Sequence, residues 1–186
     1  MRHAAWLVAV ALGGVALAQD APEFPKPQKE HQILKQFEGD WDATCRMIGK
    51  TDKADKENMQ SKGHEVGKVS YGGFWLVMEF KGEAHQKAFD GRGTIGYDPV
   101  KQKYVLTWID SLNPRMMTAE GSADKDGKIL TFYGECVDPS DKKQTQEKLV
   151  FEFKDADTRT LTFSKGGAEK KEEKGMEITY TRNRQP

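Results

Sequence analysis

The sequence predicts an all-β protein in which about ten strands form an antiparallel up-and-down barrel behind a short N-terminal helix. Short segments rich in β-branched and aromatic residues recur along the chain, and Gly, Pro, Asn and Asp separate them at short intervals. A helical pattern occurs only before these segments. Short links make successive strands antiparallel neighbours, and regular hairpins without long returns favour a barrel over a sandwich.

A helix is predicted over residues 30–37, because Ile33, Leu34 and Phe37 fall on one face and Gly39 can end it. Ten strands follow, so residues 30–186 are predicted to form a single barrel domain. Two charged stretches between strands are predicted to be loops. The predicted strands are Asp40–Met47, His64–Tyr71, Phe74–Lys81, His85–Tyr97, Lys103–Ser111, Arg115–Ser122, Lys128–Val137, Gln146–Phe153, Thr158–Phe163 and Met176–Arg182, and the loops are Lys50–Lys62 and Lys165–Lys174.

The most informative stretch is residues 91–111, which we predict to be two strands joined by an Asp-Pro turn. Aspartate bonds its own backbone and proline supplies no N–H, so the pair starts a turn. The first strand also contains Gly91, Gly93 and Gly96 at the GxGxxG spacing of dinucleotide-binding proteins. That motif requires a helix after it, and a strand and a turn follow here. Bends or a close backbone approach explain the glycines better.

The first residues have the pattern of a secretory signal peptide. Arg2 supplies the positive charge, residues 4–15 form an apolar core, and residues 16–18 match an A-x-A cleavage site. We therefore expect residues 1–18 to be removed and the chain to be periplasmic or secreted. The alternative is an uncleaved anchor helix, although the apolar core is short for a bilayer span. Residues 19–29 are predicted to form a proline-rich, extended lead-in.

The charge balance argues against two classes of partner. The sequence has 29 Lys and Arg against 29 Asp and Glu, so its formal net charge is zero. Nucleic-acid binding needs a basic surface, and an anionic membrane attracts polybasic segments. We expect neither a nucleic-acid partner nor a membrane span after cleavage, and the oligomeric state stays open.

Two cysteines, Cys45 and Cys136, allow two interpretations. They form a disulfide in an exported chain, or they are buried thiols that pack as small apolar residues. Neither has a second cysteine at CxxC spacing, and no histidines have HxH or HExxH spacing, so no metal site is predicted. No cofactor is expected, although one histidine facing the barrel interior, His64 or His85, could ligate haem. A surface or hydrogen-bonded role is the alternative for both.

One face of a central strand carries the best candidates for a ligand site. Alternation places Tyr104, Trp108 and Asp110 on the same side, which would give an aromatic wall with a carboxylate at its end. Arg115 begins the next predicted strand and is within reach of an ion pair with Asp110. With Trp75, these make five candidate ligand-binding residues. The alternative for Asp110 is that it caps the turn after the strand.

Several short motifs, spread over most of the chain after residue 29, point to a known family. They are EHxxL at 30–34, GxW at 39–41, GGFWLV at 72–77, FxGxGxxGYD at 89–98, KYxxxWIDS at 103–111, GxxD at 121–124 and YxR at 180–182. Together they resemble the bacterial family catalogued as domain of unknown function 1579, most specifically in the central GYDP and WIDS elements. The resemblance implies a fold and no activity.

The chain also resembles lipocalin-like, or calycin-like, barrels, which open with a helix and a Gly-x-Trp on the first strand. In those barrels an arginine from the last strand packs over this tryptophan. The resemblance implies that Arg182 packs over Trp41, where cation–π attraction would close one end of the barrel. The implied role is structural.

The leading hypothesis is an exported barrel that binds a small, largely apolar molecule inside, without catalysis. It rests on the predicted strands, the aromatic face and the absence of a catalytic motif such as GxSxG. One alternative is an enzyme acting on a barrel-bound substrate, with Asp110 as acid or base and Arg115 or a tyrosine as its partner. A second is a filled barrel that serves as a structural or partner-binding envelope protein.

Overall fold

The computed structural model describes residues 23–48, 60–84, 87–137, 144–166 and 172–184. The predicted signal peptide, residues 1–18, lies outside these ranges, as do residues 19–22 of the lead-in. Residues 23–28 of the lead-in contain neither helix nor strand. Among the described residues, no helix combines the length and the apolarity needed to cross a bilayer.

Ten strands form a closed antiparallel barrel in the described part of the chain, which confirms the predicted fold class. Strands that follow one another in sequence are neighbours in the barrel, and the first strand pairs with the last. Helix α1 (Lys29–Ile33) and a 3-10 turn (Leu34–Phe37) precede them. The strands are β1 (Gly39–Met47), β2 (Gln60–Ser70), β3 (Trp75–Ala84), β4 (Lys87–Asp98), β5 (Lys103–Asp110), β6 (Met117–Ala123), β7 (Ile129–Val137), β8 (Gln144–Phe153), β9 (Thr158–Lys165) and β10 (Glu173–Arg182).

Several strand boundaries differ from the prediction by a few residues, including β9 and β10, whose ends enter the predicted loop at 165–174, and two of the differences have local reasons. Residues 60–62, predicted as part of a charged loop, belong to β2, where Gln60 pairs with Arg46 of β1. Strand β6 begins at Met117, two residues later than predicted, because the turn before it extends further: the side-chain oxygen of Asn113 accepts a hydrogen bond from the Arg115 amide. Side chains within hydrogen-bonding reach of their own backbone compete with strand formation in this way.

The two ends of the barrel differ. We call the end at which β1 begins the base, and the end at which β1 finishes the mouth. Leu34 and Phe37 cover the base and are fully buried. The indole N–H of Trp41 donates to the Phe37 carbonyl at 2.9 Å, so the first strand is tied directly to the segment that plugs the base.

Arg182, near the end of β10, fastens the last strand to the base. Its guanidinium lies 4.1 Å from the centre of the Trp41 ring. It also donates to the carbonyls of Glu38 at 2.6 Å and Ala156 at 3.0 Å. Cation–π attraction and hydrogen bonds to backbone carbonyls therefore act together where the barrel closes.

A charged cluster lies inside the base, between the aromatic side chains. Arg159 is fully buried, and its guanidinium lies 4.1 Å from the ring centre of Tyr180, 4.6 Å from that of Trp41 and 5.0 Å from that of Phe37. It forms an ion pair with Glu65, which is also buried. Two guanidinium nitrogens, Nε and Nη1, have no hydrogen-bond partner among the described residues, so aromatic faces replace hydrogen-bond acceptors around them.

Tyr180 completes this cluster, because its hydroxyl hydrogen-bonds Glu65. Burial raises the pKa of Tyr180 well above its ordinary value, and the Glu65 charge adds to the effect. The hydroxyl therefore stays protonated, and it donates to the carboxylate that also pairs with Arg159.

We expect Arg159→Met to lower the free energy of unfolding by about 3–5 kcal/mol, because it leaves the Glu65 carboxylate buried without its partner. The double variant Glu65→Leu, Arg159→Met should recover most of this loss, since it removes both buried charges. Urea unfolding followed by circular dichroism measures both.

The matched control is Arg92→Met, which breaks the Arg92–Glu79 ion pair on the outer wall, where both side chains are more than half exposed. An exposed pair contributes about 1 kcal/mol or less. A cost for Arg159→Met no larger than that of Arg92→Met would show that the buried pair does not stabilise the base.

Candidate functional site

The mouth is lined by apolar side chains that are only partly buried. They lie on the inner faces of their strands and pack against the buried core: Cys45, Phe89, Trp108, Met117, Phe163 and Met176. The buried Phe80 contacts Phe89 edge to face, with ring centres 5.8 Å apart. The apolar interior therefore continues to the mouth and becomes accessible there, which is the arrangement expected of an entrance to a ligand site.

Trp108 is the largest of these mouth side chains, and glycines on β4 make room for it. A Cβ at residue 91 would lie 2.3 Å from Trp108 Cζ2, and a Cβ at residue 93 would lie 2.8 Å from Cε3. Gly96 does the same on the outer wall, where a Cβ would lie 2.5 Å from Trp75 Cε3. The GxGxxG spacing thus reflects close packing of two indoles on the two faces of one strand.

Asp110 holds Trp108 and the turn that follows β5. Its Oδ2 accepts a hydrogen bond from the Trp108 indole N–H at 3.1 Å. Its Oδ1 accepts from the amides of Leu112 at 2.9 Å and Asn113 at 2.8 Å. Both carboxylate oxygens are therefore engaged, and this geometry matches the structural alternative, in which Asp110 caps the turn.

A depression of about 360 Å³ lies on the outer wall beside the mouth, where β3, β4 and β5 run side by side. The depression combines an aromatic ring, backbone exposed at a glycine, and charged groups of both signs. Its lining residues are Glu79, Phe80, Lys81, Asp90, Gly91, Arg92, Ile109, Asp110 and Ser111.

Of the five candidate ligand-binding residues, the structure places Trp108 and Asp110 on the inner side of the mouth. Tyr104 lies buried at the base, where its hydroxyl donates to the Glu30 carbonyl at 2.9 Å and burial raises its pKa. Trp75 lies on the outer wall and is 38% exposed. Arg115 is exposed in the turn between β5 and β6. The aromatic face at the mouth is therefore smaller than predicted. Strand β5 runs from the base to the mouth, so its inward residues Tyr104 and Trp108 lie near opposite ends of the barrel.

The two histidines considered as haem ligands do not form an interior site in the described structure. His64 lies on the outer wall, because Glu65 beside it faces inward and strand residues alternate. Its ring nitrogens lie 3.3 Å from Asp40 and 3.4 Å from Asp42. His85 lies outside the described residues. Within the described ranges, no group of three or more His, Cys, Asp and Glu side chains is arranged to hold a metal ion.

Cys45 is a free thiol in this structure, which agrees better with the alternative of unbridged thiols than with a disulfide between Cys45 and Cys136. Cys45 is on β1 and Cys136 is on β7, and three strands, β10, β9 and β8, separate them in the barrel wall. Neighbouring strands are about 4.8 Å apart, whereas bridged cysteines have Cα atoms within about 7 Å. Burial raises the pKa of the Cys45 thiol, and a hydrogen bond with the Ser61 side chain partly offsets this.

Sequence reasoning missed three of the mouth residues, Phe89, Phe163 and Met176. The signal for them is the same alternation that identifies the core. Phe163, for example, follows Leu161 by two residues on β9, and Leu161 is buried. On each strand the inward residues recur every second position. Continuing this pattern by two residues toward the mouth would have identified the mouth residues.

The family model described as "Protein of unknown function (DUF1579)" matches residues 26–182. The chain belongs to this family. A comparison with the curated proteins found no match. The match begins in the lead-in and ends at Arg182, so this DUF1579 domain contains the plugged base, all ten strands and the mouth.

Two solved structures resemble the DUF1579 barrel. One is Rv2717c from M. tuberculosis, with a TM-score of 0.56 and 11% sequence identity, covering 84% of this chain and 99% of that one. The other is the S-type phycobiliprotein lyase CPES from Guillardia theta, with a TM-score of 0.52 and 11% identity, covering 86% of this chain and 100% of that one. At this identity, the similarity shows the fold alone.

We expect Asp110→Ala to lower the free energy of unfolding of the DUF1579 barrel by about 1–3 kcal/mol, because three N–H donors lose their acceptor. Urea unfolding measures this loss. Trp108 should also become more mobile, which steady-state fluorescence anisotropy reports. Asp90→Ala is the control, since Asp90 is an exposed carboxylate on the same rim and its loss should change stability by about 0.5 kcal/mol or less. Equal effects of the two substitutions would contradict a structural role for Asp110.

Proposed function

We propose that this chain is an exported β-barrel that binds a small, largely apolar molecule at its mouth. One observation carries the proposal: the apolar interior is plugged at the base and continues, partly exposed, to the mouth. An accessible surface of this kind gains stability by burying a ligand, at about 25 cal/mol for each Å² of apolar area removed from water.

The base offers no comparable position for a ligand. Phe37, Trp41 and Arg159 fill it and are fully buried, and the plug residues lie across it. A ligand would therefore lie in the half of the barrel nearer the mouth, against Trp108 and the side chains around it.

Asp110 supports this proposal as a positioning residue. Its hydrogen bond to the indole N–H fixes Trp108 along the inner wall. A fixed aromatic ring loses little conformational freedom when a ligand packs on it, and less lost entropy means tighter binding. The same engagement of both carboxylate oxygens gives no reason to prefer acid–base catalysis by Asp110.

Binding is tested with N-phenylnaphthylamine, an uncharged apolar dye that becomes fluorescent when bound. We expect saturable binding, weakened by Trp108→Leu at least about fivefold, because a large aromatic contact at the site is lost. Trp75→Leu is a closely matched control: both indoles lie on glycines of β4, one on the inner face and one on the outer.

Met117→Gln provides a second variant of similar side-chain length that makes the mouth more polar, and it should also weaken binding of the dye. Thermal unfolding shows whether each variant is folded. Absence of saturable binding, or equal losses for Trp108→Leu and Trp75→Leu, would contradict the proposal and favour a filled barrel with a structural role.

Export is tested separately by the intact mass of protein secreted with its own leader. We expect a mature chain that begins at Gln19, because residues 16–18 have the small-residue pattern that signal peptidase cleaves. Replacing Ala18 with Gln should block cleavage and leave the full-length mass. A mature mass that retains residues 1–18 in the unmodified protein would support an uncleaved anchor.

A further inference from the structure

Three sulfur-containing residues occupy neighbouring positions at one part of the mouth, on the two strands that close the barrel. Cys45 and Met47 are near the end of β1, and Met176 is near the start of β10. Met47 and Met176 are direct partners across the two strands. Cys45 precedes Met47 by two residues, so it shares its face, and the burial of Ala43 identifies this as the inner face.

The spacing of these positions allows the three sulfur atoms to converge. Directly opposed residues in an antiparallel pair have Cβ atoms about 5 Å apart, and diagonal neighbours are about 7–8 Å apart. Residues two apart on one strand are separated by about 7 Å. Methionine side chains are long and unbranched, so two of them can reach a common point beside the thiol.

The sulfur cluster is open to solvent on one side and packed against the core on the other. Met47 is 43% exposed, which gives an ion access from solvent, whereas Cys45 and Met176 pack against the core. The charged neighbours Arg46 and Glu177 are on the outer face and pair with each other at 2.9 Å.

We propose that Cys45, Met47 and Met176 form a binding site for the soft monovalent ion Cu(I). Thiolate and thioether sulfurs select this ion, whereas calcium and magnesium require oxygen ligands. On binding, a Cu–S bond replaces the S–H bond of Cys45 and the proton leaves to solvent. The ion enters and remains as Cu(I), so no oxidant or reductant is needed.

The charge of the complex fits its position. A single thiolate and a monovalent cation sum to zero, and the two thioethers are neutral, so the occupied site adds no net charge to an apolar environment. A divalent ion with the same ligands would leave a positive charge there. The Ser61 side chain, which hydrogen-bonds the Cys45 thiol, would orient the sulfur toward its partners.

The test is an anaerobic titration of Cu(I) against a chromophoric chelator, bicinchoninate, with protein carrying Cys136→Ser so that Cys45 is the only thiol. We expect one ion per chain. Met47→Leu and Met176→Leu should each weaken binding more than about tenfold, because even residues that only support metal ligands cost that much when changed. Cys45→Ser should weaken it further.

Leucine has nearly the volume of methionine, so these variants keep the packing of the mouth. Met117→Leu is the matched control, since it changes a mouth methionine on β6 and should leave Cu(I) affinity unchanged. As a second readout, Ag(I) should raise the melting temperature of the parent more than that of Met47→Leu, because binding stabilises the folded state. Equal affinity in the parent and the two Leu variants, or an equal loss in the control, would overturn the proposal.

Discussion

The pairing of β1 with β10 is the interaction on which the rest of the structure depends. It closes the barrel, and its register places Trp41 opposite Arg182 at the base and Met47 opposite Met176 at the mouth. A shift by one residue would move every inward side chain of one strand to the outer wall. The cation–π contact of Arg182 and the buried cluster around Arg159 both involve Trp41. They therefore hold this register where the first and last strands meet.

Polar groups are buried at the base of the barrel but lie near solvent at the mouth. At the base, Arg159 and Glu65 are removed from water, and that desolvation is offset by their ion pair, the Tyr180 hydroxyl and three aromatic faces. Such a cluster is rigid, because any movement of one member exposes a charge to an apolar environment. At the mouth, polar groups such as Asp110 remain near solvent and bond the backbone of a turn. The structure therefore combines a fixed end with an accessible one.

The sequence was sufficient for the fold because turn residues and alternation act locally. Ten strands and the helix before them follow from patterns a few residues long, and β1–β10 closure follows from their number and order. The position along the barrel axis is harder to infer. Tyr104 and Trp108 share the inner face of β5, but they are four positions apart. At a rise of about 3.3 Å for each residue, this spacing places Tyr104 at the base when Trp108 is at the mouth.

Two other differences separate the prediction from the structure: which strand residues face inward, and which charged residues are buried. Trp75 and Leu76 are neighbours and both are apolar, so composition alone does not show which of them faces inward. Glu65 and Arg159 were not anticipated because charged residues in strands usually face water, and only the partner across the barrel makes their burial tolerable. That partner is 94 residues away, beyond the reach of any local pattern.

The glycines near the mouth let large aromatic rings lie close against the barrel wall. Trp108 lies against Gly91 and Gly93, and a Cβ at residue 63 would lie 2.1 Å from Phe80 Cζ. A ring that lies along the wall occupies less of the interior than one that projects across it. Glycine is the residue that permits such contact, at some cost in strand stability. In this barrel that cost falls near the mouth, where Trp108 and Phe80 lie against glycine backbone.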